Sequence, residues 1–158
     1  MERLLFRNPH LAAPDWVVAV HTFATLAMMG LIWFVQVVHY PLYAKVGPQA
    51  FAEYHALHVS RTTSVVAPLM LAELGAAVWL LLDPNDRFSG WMPLVGLGLL
   101  GVIWGSTALL QVPSHGRLQE AFTPKAHAYL VGTNWIRTVA WTARGVLVVL
   151  APMSVHGY

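Results

Sequence analysis

Four stretches of the chain are almost free of charge, and their lengths leave little choice of fold. No Asp, Glu, Lys or Arg occurs from Trp16 to Ala44 or from Phe88 to Gly116. Glu73 is the one charge from Thr62 to Leu82, and Arg137 and Arg144 are the two that follow Lys125. A helix of about 20 mostly apolar residues spans a bilayer, so the expected spans are 16–39, 62–82, 91–112 and 129–152. Surface chemistry excludes a soluble globule, because 10% of the 158 residues are charged and 57% are hydrophobic. A soluble domain carries about 25% charged residues. The expected class is therefore all-α, a four-transmembrane-helix bundle forming a single integral membrane domain over 1–158. Trp16, Tyr40, Tyr43, Tyr54, Trp91 and Tyr129 fall near the span ends, where an interfacial aromatic belt sits. The first span is too long for a signal-peptide core and is expected to stay in the mature chain.

The breaks between spans have local causes. Pro41 disfavours helical geometry at Tyr40, which ends the first helix near His39. Asp83-Pro84-Asn85-Asp86 reads as a tight turn, Pro113 as a stop to the third helix, and Thr123-Pro124 as the entry to the fourth. Gly47-Pro48 reads as a helix start, giving a short amphipathic helix over 48–60, either separate or running straight into the second span, and Pro68 as a kink within that span. Arg3, Arg7 and Arg87 fall on the face of the termini, against Lys45, Arg61, Arg117 and Lys125 on the other, too even a division to set an orientation.

Several function classes drop out. The chain has no cysteine, so disulfides, thiolate metal sites and cysteine nucleophiles are absent. A net charge of +2 without a basic run excludes a nucleic-acid partner. Gly96-Leu-Gly98-Leu-Leu-Gly101 matches the dinucleotide fingerprint as a string, but it lies inside a hydrophobic span and not between a strand and a helix. Gly101 and Gly105 instead make a small-xxx-small face suited to close helix packing, within the bundle or in a homo-oligomer. Ser114-His115 has no acidic partner nearby and is not read as a hydrolase pair.

Charge inside a span costs about 2.5–3.5 kcal/mol on insertion scales, so Glu73, Arg137 and Arg144 need partners. At about 1.5 Å per residue, Glu73 lies between the two arginines in depth. Asn134, Arg137, Trp141 and Arg144 recur on one face of the fourth helix. A buried ion pair of Glu73 with Arg137 or Arg144 is expected. It is read first as a structural device and second as a path for protons or substrate.

Of the eight histidines, five map to one membrane face by topology alone: His39, His55, His58, His115 and His127. Phe51, Tyr54, His55 and His58 share a helical stripe that should dock onto the bundle. Neutral imidazole ligates zinc, copper and iron, and bundle mouths commonly hold such sites. The expected cofactor-binding residues are these five histidines, with His39, His55, His58 and His115 as metal ligands and Glu53 or Glu120 orienting a ring. The bound group is a metal ion, a haem or a quinone. The competing expectation is that each histidine is an interfacial amphipath with a wet tip. Gln36 before His39 and Gln111 before His115 are a faint trace of a repeat of two hairpins.

Trp33-Phe-Val-Gln-Val-Val-His-Tyr-Pro41, Gln111-Val-Pro-Ser-His-Gly-Arg-Leu118 and the helix from Asn134 to Arg144 resemble segments of small bacterial four-helix inner-membrane proteins. More distantly, they resemble the anthrone-oxygenase-like membrane family. That resemblance implies a four-helix membrane bundle in the bacterial inner membrane and, for some members, cofactor-poor oxygenation of aromatic polyketides. It makes Arg137 the family's helix-four arginine. It puts His115 at the loop's polar position, where the family pattern has asparagine. Three function classes follow: a membrane oxidoreductase or oxygenase, an accessory subunit of a respiratory or photosynthetic complex, and a small transporter using Glu73 and the arginines.

Overall fold

The computed structural model describes residues 13–84, 88 and 90–151, and among these residues every regular element is helical. Four rods account for nearly all of them: α1 (Asp15–Lys45), α2 (Pro48–Leu82), α3 (Met92–Glu120) and α4 (Pro124–Leu150). α1, α2 and α3 are long and apolar enough to cross a membrane by length and composition. α4 has 27 residues but carries a polar face, which lowers its hydropathy. Each helix packs against the next, and α4 closes the ring against α1.

The helix starts follow from sequence. Pro48 and Pro124 occupy first-turn positions, where the missing N–H costs nothing. Thr123 caps α4, its Oγ1 accepting from the Ala126 N–H at 3.1 Å. Gly90, at φ +66°, turns the chain into α3 in a conformation that other residues resist.

The prolines do less to end helices than expected. α1 runs through Pro41 to Lys45, and α3 runs through Pro113 to Glu120. In both, a π turn precedes the ring: Val35–His39 in α1 and Thr107–Gln111 in α3. There the Tyr40 N–H bonds to the Val35 carbonyl, and the Val112 N–H to the Thr107 carbonyl. The widened turn makes room for a ring that would otherwise clash with the carbonyl four residues back. Residues 48–60 are likewise not a separate short helix. They are the first turns of the 35-residue α2, which also passes Pro68 without a break. Part of the expected turn, residues 85–87, and the end of the fourth expected span lie outside the described residues.

Polarity is distributed inside out. Phe23 is 69% exposed, Leu109 76% and Val139 63%, while Glu73, Asn134 and Thr138 are fully buried. Exposed apolar area on this scale marks a surface that meets lipid or another apolar partner.

Candidate functional site

Two buried polar centres occupy the bundle. In the first, Glu73 Oε1 accepts from Thr25 Oγ1 at 2.9 Å and Arg144 Nε at 2.7 Å, and its Oε2 accepts from Trp141 Nε1 at 3.0 Å. Arg144 also donates to the Gly96 carbonyl and meets His21 Nε2 at 3.1 Å. Arg137 takes no part. Its guanidinium donates to Asn134 Oδ1, and makes longer contacts to Thr107 Oγ1 at 3.4 Å and to Gln111 Oε1 and Tyr40 OH at 3.5 Å. Asn134 is fixed in turn by donating to Gln36 Oε1 at 2.7 Å.

The second centre is the histidine cluster. His39 Nε2 lies 2.6 Å from His58 Nδ1, and His55 Nε2 lies 3.0 Å from His115 Nδ1. The ring centroids of His55, His58 and His115 form a triangle with sides of 5.2, 5.7 and 6.4 Å. His127 is drawn aside and donates to the Tyr40 backbone carbonyl at 2.7 Å. The four histidines expected as metal ligands are therefore gathered, and one ring nitrogen of each faces another histidine, in two pairs. Among the described residues no three His, Asp or Glu side chains are arranged to hold a metal ion. Glu53 and Glu120 are exposed, and Gln119 orients His55 in their place.

The hydrogen bonds around His55 and His115 fix their own direction. Gln119 Nε2 donates to the Ala52 carbonyl, so Gln119 Oε1 faces His55 and accepts from its Nδ1–H at 2.9 Å. Neutral His55 then accepts at Nε2, which makes His115 Nδ1 the donor. His115 accepts at Nε2 from the Tyr40 hydroxyl at 2.9 Å, and the Tyr40 oxygen accepts from Arg137 Nη2. A single polarised chain thus runs Arg137, Tyr40, His115, His55, Gln119, from the buried core to an exposed side chain.

This chain forms one wall of a cavity of about 600 Å³ between α2 and α3. Met28, Ile32, Val66, Met70 and Trp104 supply the apolar wall, and Trp141 separates the cavity from Glu73. Ala56, Ser60 and Thr63 of α2 and Val112 and Gly116 of α3 line it while exposed, so it opens sideways at the seam of the two helices.

Tyr40 and Trp104 are missing from the sequence-based site. Tyr40 was expected in the interfacial belt, yet it is 3% exposed, and Tyr43 is fully buried. The spacing of Gln36, Tyr40 and Tyr43, one stripe at helical period, was the available signal. Comparison of the chain with protein-family models, with curated proteins and with solved structures returns no match.

Proposed function

We propose that the chain is a four-span protein of the bacterial inner membrane that takes a lipophilic, ring-headed molecule of the quinone class from the bilayer. The molecule enters between α2 and α3 and exchanges protons with Tyr40 and His115, as a component of a membrane oxidoreductase. The observation that carries this reading is the cavity of about 600 Å³, apolar on one side and lined on the other by Tyr40, His55, His115 and Arg137. Ligand pockets of about 300–1,000 Å³ with a few convergent polar groups are of the size that takes one small molecule. The side opening suits a molecule that arrives dissolved in lipid.

Supporting the fourth span, the outward face of α4 is apolar (Trp135, Ile136, Val139, Val146, Val149), and Asn134, Arg137, Thr138 and Arg144 all point inward. Four spans put both termini on one membrane face. The resemblance to the anthrone-oxygenase-like family agrees with a four-helix membrane bundle. A transport path is less well supported, since Glu73 is fully buried, is held by Thr25, Trp141 and Arg144, and is not among the residues lining the cavity.

In the chemistry this geometry supports, Arg137 and the Tyr40 hydroxyl would meet an oxygen of the head. His115 would take the Tyr40 proton at Nε2 and pass its Nδ1 proton to His55 Nε2, with Gln119 orienting the His55 ring by accepting from its Nδ1–H. The test is mass spectrometry of the intact protein released from mild detergent. The wild-type chain should carry one lipophile, and Gly116→Trp, which fills the exposed rim, should carry none. Equal occupancy in both, or none in either, would reject the reading.

A further inference from the structure

Arg137 is 7% exposed, and among the described residues no carboxylate pairs with it. Among the described residues the one buried carboxylate is Glu73, which is committed to Arg144 at 2.7 Å. Asp15, Glu53 and Glu120 are exposed, and Asp83 lies beyond the C-terminal end of α2. A buried guanidinium without a counter-charge is costly, and neutral acceptors compensate it only in part. Arg137 bonds closely to Asn134 alone, and its reach to Thr107, Gln111 and Tyr40 is at 3.4–3.5 Å, the edge of hydrogen bonding.

Arg137 itself lines the cavity, so the head of a molecule held there meets its guanidinium. The Tyr40 hydroxyl beside it supplies no counter-charge, because its proton goes to His115 Nε2 and its neutral oxygen already faces Arg137 Nη2.

We infer that the head of the molecule bound in this cavity is an oxyanion, seated on Arg137, so that the site selects lipophilic organic acids over neutral molecules of the same shape. The inference rests on the cavity reading above; it fixes the charge of the head and leaves its carrier, ring or chain, to the experiment. An ionised hydroxyquinone and a long-chain carboxylate share this chemistry, and both supply an oxygen with negative charge and several lone pairs. A cation or a neutral ester supplies no counter-charge to Arg137.

The experiment measures binding to the full chain in lipid nanodiscs by quenching of tryptophan fluorescence, with Gly116→Trp nanodiscs measured in parallel to subtract partition into lipid. The ligands are two pairs: an alkylated hydroxynaphthoquinone and its O-methyl ether, and myristate and its methyl ester. Within at least one pair the acid should bind about ten- to a hundredfold tighter, the range that a hydrogen bond to a charged group supplies. The pair with the tighter acid identifies a ring or a chain as the source. Arg137→Lys should keep the preference and Arg137→Gln should abolish it. Neutral and acidic partners binding equally to the wild-type chain would overturn the inference while leaving the cavity reading intact. No specific binding of any of the four would overturn both.

Discussion

Glu73 is the side chain whose environment is most completely specified. Its two oxygens meet three donors, from α1 and α4, and one of those donors is a cation. Removing the carboxylate leaves Arg144 buried and unpaired, and breaking a pair in this way costs about 3–5 kcal/mol. Glu73→Ala should lower stability by that amount in chemical unfolding in mild detergent. A loss below about 1 kcal/mol, the value of an exposed pair, would contradict the assigned contacts. The partner was only half legible in the sequence. Depth along the helices narrowed it to Arg137 or Arg144, but which one turns toward α2 depends on the rotation of α4, which charge spacing does not fix. The histidines behave the same way. Topology put His39, His55, His58 and His115 on one side, while their pairing and the entry of Tyr40 depend on ring orientation, which a list of positions does not encode.

At the scale of elements, the sequence was clearest where a helix begins and least clear where a proline lies within one. Gly47-Pro48 and Thr123-Pro124 start helices as read, because a first-turn proline loses no hydrogen bond. Pro41 and Pro113 read as stops by the same chemistry, and the π turns before them override that reading by shifting the hydrogen-bond partner to five residues back. No local sequence signal announces such a turn. Its consequence is functional: the continuations past Pro41 and Pro113 bring Tyr43, His115 and Gln119 into the bundle, where stops would have left them in loops. The Thr123 cap is a simpler device on the same scale, since it fixes the entry of α4 just before His127. Thr123→Ala should cost about 0.5–2 kcal/mol of unfolding free energy, and Thr123→Asp should restore most of it. Equal stability of the alanine and aspartate variants would show that this cap does not hold the entry of α4.

For the whole molecule, the all-helical class was legible from the charge-free runs, but the helix lengths were not, since α1, α2 and α3 all run beyond the expected spans. The cavity was not legible. It is lined by residues of all four helices, so it belongs to their packing together and not to any one segment. The inside-out polarity joins both facts: apolar side chains face outward along every rod, and the polar residues turn inward to the two buried centres. The most direct measurement is an experimentally determined structure of the chain purified natively into lipid nanodiscs. The account predicts four helices crossing the bilayer and non-protein density filling the cavity between α2 and α3, its polar end on Arg137 and beside Tyr40. A bundle in which α4 lies outside the bilayer, or in which side chains close the cavity and a carboxylate of the chain itself reaches Arg137, would contradict it.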